Sequence, residues 1–186
     1  ILIGLVGSEM CIRDRVKMSK LFFFDIDGTL IDCNKGLYGI STINRNSFDQ
    51  LKQKGHDVFL ATGRCKCFIT EGVMDYPFSG YVTCNGGYVE YKGDAIYKAV
   101  VPAKAIEETI KLSKEHHFSF YFESSDYIYV LDKNDPQHKE FARVWGMKDE
   151  TIIDDFDPQE IETYIGMIVI NSKEDIPLLV ETLSPY

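Results

Sequence analysis

Surplus positive charge is the first thing this sequence lacks. Its 29 Asp and Glu outnumber 20 Lys and Arg, for a net charge of −9. That balance argues against a nucleic-acid partner, because phosphate backbones are bound by excess Lys and Arg. It leaves room for a small phosphorylated ligand, since a local site can be positive on an acidic protein. No apolar run reaches membrane-spanning length, so no membrane partner is expected. The opening Ile1–Val6 is too short for a signal-peptide core, and the basic Arg13, Arg15 and Lys17 follow it instead of preceding it. The five cysteines are odd in number and lack metal-ligand spacing; Cys65-Lys66-Cys67 has one intervening residue where a redox or zinc pair has two. They read as buried or idle thiols, a usage that suits a reducing cytoplasm. Both the dinucleotide and the P-loop glycine signatures are missing.

What is present is a soluble-type composition, 45% hydrophobic and 26% charged, over a length that supports one good core plus a small second unit. The most informative stretch is Leu21-Phe22-Phe23-Phe24-Asp25-Ile26-Asp27-Gly28-Thr29-Leu30. Its apolar part predicts a strand buried on both faces, as in the middle of a parallel sheet. Asp25 and Asp27 then fall at the strand's carboxyl end, where open α/β sheets place their ligands. Two such acids buried without a partner would cost several kcal/mol, so something positive is expected to meet them, most simply a metal ion.

Downstream, Ile31–Ile40 reads as a loop beside the acids, Ser41–Lys54 as a helix with Ile43, Phe48 and Leu51 on its apolar face, and His56–Ala61 as a second buried strand. Strand, helix and strand make a βαβ unit, which brings Thr62 to the same sheet edge as Asp25. Tyr81-Val82-Thr83 is a third strand before a tight Asn85-Gly86-Gly87 turn, and Lys92-Gly93-Asp94 joins a hairpin. From Pro102 the pattern changes to helix, an aromatic hairpin (Phe118–Phe122 with Tyr127–Leu131), a helix from Asp135-Pro136 to Gly146, a short helix after Asp157, a strand over Tyr164–Ile170, and a last helix capped by Ser172. This is an α+β layer. His116 and His117 read as helix-end residues near the negative dipole end, because adjacent helical residues do not face one site.

Asp25-Ile26-Asp27-Gly28-Thr29 resembles the first motif of the haloacid dehalogenase superfamily in its phosphatase form. Thr62-Gly63-Arg64 and Asn85-Gly86-Gly87 are similar to the corresponding segments of its Cof-type (IIB) group. The resemblance covers residues 18–186 and implies a Rossmann-like three-layer parallel-sheet core, incomplete here, with a partial α+β cap of the C2B type. It implies three parts: 1–17 a non-native or disordered leader, similar to translated sequencing-adapter read-through and followed by a start at Met18; 18–101 the core; and 102–186 the cap. The implied activity is Mg²⁺-dependent hydrolysis of a small phosphorylated metabolite, such as a sugar phosphate. Asp25 would be the nucleophile and Asp27 the general acid and base. Both acids would hold the metal, with Thr62, Gly63, Arg64 and Asn85 at the substrate. For Arg64 a substrate anion and a surface acid are both open as partners. The superfamily's Lys and its second acidic motif would lie after the cap; neither is found, and the chain as given is expected to be an inactive fragment. The alternatives are a phosphosugar mutase of the same superfamily and a non-catalytic phosphate-binding or phosphoacceptor module.

Overall fold

The computed structural model describes residues 18–170 and 172–186; the leader expected over 1–17 lies outside them. The first sheet runs in the order β1 (Leu21–Phe24), β2 (Asp57–Ala61), β3 (Gly80–Thr83), β4 (Tyr88–Tyr91) and β5 (Asp94–Lys98). Its first three strands are parallel, and β4 and β5 continue as antiparallel neighbours through the expected hairpin. Helices α1 (Thr42–Gln53) and α2 (Glu71–Met74) cover one face. There Phe48 of α1 and Val73 of α2 pack with Ile26, Val58 and Leu60 around one core. Ser41 starts α1 by accepting a hydrogen bond from Asn44 N, the capping arrangement that its hydroxyl favours.

The expectation for β1 needs correction. β1 lies at the edge of the sheet among the described residues, and Leu21 and Phe23 are 54% and 52% exposed. No helix of the described residues covers that face; Phe23 instead lies 4.9 Å from Phe59, which stacks on Tyr91 at 5.5 Å. Similarly, Ile43 is exposed, because α1 buries Phe48 and turns Ile43 outward.

The second layer contains α3 (Ala103–His116), β6 (Ser119–Glu123), β7 (Ile128–Tyr129), α4 (Pro136–Trp145), β8 (Ile152–Ile153), β9 (Ile165–Val169) and α5 (Ile176–Leu183). Its four strands run β8-β7-β6-β9. Strict alternation in Ser119–Glu123 splits the strand between two packings. Phe120 and Phe122 pack with Ile106 of α3, while Tyr121 faces Phe141 of α4 at 4.9 Å. The short helix expected after Asp157 is a turn only: Asp157 Oδ1 accepts from Gln159 N, and Thr163 and Tyr164 are already tied to Val101 and Glu123. The chain has returned to strand pairing before a second helical turn can form. His116 Nδ1 lies 3.4 Å from Asp175 Oδ1. Among the described residues, no helix is long and apolar enough to cross a membrane.

One hydrophobic cluster joins the two sheets: Cys65, Phe68, Cys84 and Tyr88 from the first half pack with Tyr121, Ile128, Ala142 and Tyr164 from the second. Lys98 reinforces this junction through Glu162 at 2.7 Å, and Lys148 pairs with Glu71.

Gly80 is where the first sheet is tightest. A Cβ there would stand 2.3 Å from Phe59 Cε1 and 2.4 Å from Glu90 O, and the backbone oxygen cannot yield. Gly80→Ala is therefore expected to destabilise the fold by about 1–3 kcal/mol through overpacking, read as a lower urea midpoint. An unchanged midpoint would show that Phe59 has room the structure does not reveal.

Candidate functional site at the carboxyl edge of the first sheet

The parallel strands end together, and the loops after β1, β2 and β3 carry the candidate residues. After β1 the chain turns around Ile26, which is fully buried. Ile26 O accepts from the backbone N–H groups of Thr29, Leu30 and Ile31, and Gly28 N donates to Ile31 O. Gly28 takes φ +75, where a side chain would be strained. Burying Ile26 while turning the chain leaves the residues on either side, Asp25 and Asp27, exposed at the strand end. Thr29 Oγ1 donates to Asp25 Oδ2 over 3.5 Å.

Asp27 is held far more firmly. Arg64 Nε donates to Asp27 Oδ2 at 2.8 Å and Nη2 to Oδ1 at 2.6 Å, a bidentate fork. The same guanidinium donates to Phe68 O at 3.0 Å and to Cys33 Sγ at 3.4 Å. Burial opposes the Arg64 charge, but the hydrogen bonds to Asp27 and Cys33 outweigh it and hold its pKa above the usual value. The partner of Arg64 is thus an acid, the exposed Asp27 of the motif itself, and these donors are directed at protein atoms instead of open solvent.

Thr62 is buried, and its Oγ1 accepts from Arg64 N at 3.2 Å, which leaves the hydroxyl proton to donate elsewhere. A Cβ on Gly63 would stand 2.8 Å from Asn85 Oδ1, so the loops after β2 and β3 meet at these two residues. Asn85 itself sits at φ 52 in the left-handed region, which Asn tolerates better than most side chains. The structure therefore brings Asp27 to Arg64, Arg64 to Thr62, and Gly63 to Asn85.

A cleft of about 270 Å³ opens beside this cluster, lined by Asp27, Gly28, Asp32 and Cys33 on one side and by Val144 and Trp145 of α4 on the other. No sequence signal marks those last two: residues of a distant helix carry no motif, and only the docking of the layers places them here. Among the described residues, no group of three or more His, Cys, Asp or Glu could hold a metal ion. Oxygens open to a cation include the Asp25 carboxylate and the Asp27 carbonyl, since the turn's main-chain bonds go to Ile26 O and Ile31 O, while the Asp27 carboxylate accepts the Arg64 fork. Two hard oxygens fit an ion of the Mg²⁺ type, which keeps several of its waters.

Cys65 and Cys84 are buried behind the site, and Cys33 and Cys67 are partly exposed. Cys65 Sγ lies 3.3 Å from Cys67 Sγ, and Cys33, Cys65, Cys67 and Cys84 are all free. Burial pushes the Cys84 thiol up to about 12.

Comparison with known proteins fits this architecture. Residues 22–186 match the family model of haloacid dehalogenase-like hydrolases, and the chain belongs to that family. It is 32% identical over 108 residues to YkrA of Bacillus subtilis (strain 168), provisionally named a phosphatase; the match covers 58% of this chain and 41% of YkrA. A Streptococcus pyogenes protein, provisionally named a bifunctional phosphatase/peptidyl-prolyl cis-trans isomerase, is 37% identical over 98 residues, covering 51% of this chain and 20% of that protein. Among solved structures, a hypothetical protein of Geobacillus kaustophilus HTA426 superposes with a TM-score of 0.74 at 20% identity, covering 88% of this chain and 62% of that one. The subclass IIB sugar phosphatase BT4131 superposes with a TM-score of 0.70 at 22% identity, covering 89% and 64%. At these identities the structural likeness defines the fold alone. The chain spans less than two thirds of each of these relatives.

Glu123, at the end of β6, is buried where the two layers meet. Burial raises its pKa above the ordinary 4.5, partly offset by hydrogen bonding to Cys65, so the fold favours the protonated acid. Stability attached to that form is fully present below the unfolded value and is lost as pH rises through the folded one. Glu123→Gln should therefore raise Tm at pH 7 but change it little at pH 4. An equal change at both pH values would contradict the burial argument.

Proposed function

We propose that the protein carrying this chain is a Mg²⁺-dependent phosphatase of small phosphorylated metabolites, working through an aspartyl-phosphate intermediate. The observation that carries this reading is the pair of acids at the end of β1, one exposed and the other forked by Arg64 beside a cleft. Residues 18–101 would be the core and 102–186 part of a cap. A sugar phosphate is the favoured substrate class, by extension from the fold shared with BT4131. Free thiols at Cys33, Cys65, Cys67 and Cys84 suit work in the cytoplasm.

Asp25 attacks phosphorus as the bond to the ester oxygen breaks, and Asp27 protonates the departing alkoxide. Asp27 then takes a proton from water, which attacks the phosphorus of the aspartyl phosphate, releasing inorganic phosphate and restoring Asp25. Thr62, with the backbone around Gly63 and the side chain of Asn85, holds the phosphoryl oxygens. Mg²⁺, when bound by the Asp25 carboxylate and the Asp27 carbonyl, supplies positive charge between a carboxylate nucleophile and an anionic substrate that otherwise repel.

In the full-length protein, Asp27→Asn should lower kcat by about two to four orders of magnitude, the usual worth of general acid–base catalysis. Steady-state assays on an aryl phosphate and on sugar phosphates with added Mg²⁺ provide the check. Activity within about a factor of two of the native enzyme would remove Asp27 from the mechanism, given that expected loss.

A further inference from the structure

Arg64 stands between Asp27 and the second layer. One side of its guanidinium forks the carboxylate, and its Cζ lies 4.8 Å from the ring centre of Phe68 and 5.5 Å from that of Trp145. Phe68 and Trp145 meet edge to face at 6.2 Å, and Trp145 is the last residue of α4, where Gly146 ends the helix in the left-handed conformation. Phe141, one turn earlier on α4, backs Trp145 at 6.1 Å. The Arg64 side chain is only 4% exposed, so its position is set by these neighbours instead of by solvent.

We propose that Arg64 is a positioning residue for Asp27, and that Trp145 makes this positioning depend on the docking of α4. The inference rests on the phosphatase reading for its kinetic consequence, but the clamp itself does not. A planar fork fixes both the place and the plane of a carboxylate, which a single hydrogen bond cannot do. Each carboxylate oxygen has two lone pairs, so the fork uses one on each and leaves one on each for a proton. Asp27 can thus be held rigidly and still give and take the proton that the reaction moves. Cation–π contact with Trp145 favours the guanidinium where it lies. A second layer that shifts away would take Trp145 with it, loosen Arg64 and let the carboxylate turn. The acid is then in register only while α4 covers the cleft that Trp145 also lines.

Arg64→Lys tests this, because it keeps the charge and most of the side-chain bulk but cannot form the fork. In the full-length protein we expect kcat to fall by roughly 10²-fold, the scale of a misplaced catalytic group, with little change in KM. Arg64→Lys should add little further loss in an Asp27→Asn background, because residues acting as a unit are not additive. Trp145→Phe, which keeps a ring, should lose less kcat than Trp145→Ala. A raised KM with unchanged kcat, or losses that multiply in the double variant, would assign Arg64 to direct substrate binding and overturn the proposal. A second readout needs no turnover. Trp145 is the only tryptophan of these 186 residues, so in this chain its emission reports on the clamp. Arg64→Lys should shift that emission and increase its quenching by acrylamide. Unchanged emission and quenching would sink the clamp. A native protein that fails to hydrolyse phosphate esters would instead sink the phosphatase reading, leaving the emission result to decide the clamp.

Discussion

Two carboxylates one residue apart repel each other, and the fold tolerates them here because a buried cation meets one of them. Arg64 satisfies both oxygens of Asp27, while Asp25 is exposed and has the weak contact from Thr29. That difference separates the acids chemically. Asp27 has a fixed orientation in the Arg64 fork, and Asp25 does not. The surrounding structure serves this pairing. Ile26 anchors the turn that presents the acids, the β2 loop delivers Arg64, and the Phe68 carbonyl with the ring of Trp145 holds the guanidinium in place.

The two sheets depend on each other more than a loosely hinged pair would. A shared cluster runs from Cys65 and Cys84 through Tyr121 to Tyr164, and Glu123 is buried in the same region. Burying a carboxylate there costs stability, which is consistent with its being pushed toward the neutral form. On the α4 side, Val144 and Trp145 line the cleft opposite Asp27.

Local chemistry explains what was legible in the sequence. The β1–α1–β2 unit follows from hydrophobic periodicity and the Ser41 cap, and the hairpin at Lys92-Gly93 from turn chemistry. The acid pair was visible because Asp25 and Asp27 interrupt an apolar run. Features decided by distant packing were not. The unbroken apolar run of β1 suggested burial on both faces, but burial depends on neighbouring elements, and Leu21 and Phe23 are half exposed. A positive partner for the acids was foreseen, with a metal as the simplest choice; Arg64 meets Asp27, and its 37-residue separation hides the pair from any local pattern. Trp145 is less legible still, because its role arises only where α4 docks. The turn at Asp157 had a helix-start pattern, but Thr163 and Tyr164 were already committed to neighbouring strands.

The central claim is that Asp25 is the nucleophile and becomes covalently phosphorylated. Its most direct test is rapid acid quenching of the full-length protein during turnover of a ³²P-labelled phosphate ester, followed by peptide mapping. The account predicts a base-labile label on the peptide containing Asp25 that disappears in Asp25→Asn. A label on any other residue, or turnover with no protein-bound phosphate at any quench time, would contradict it.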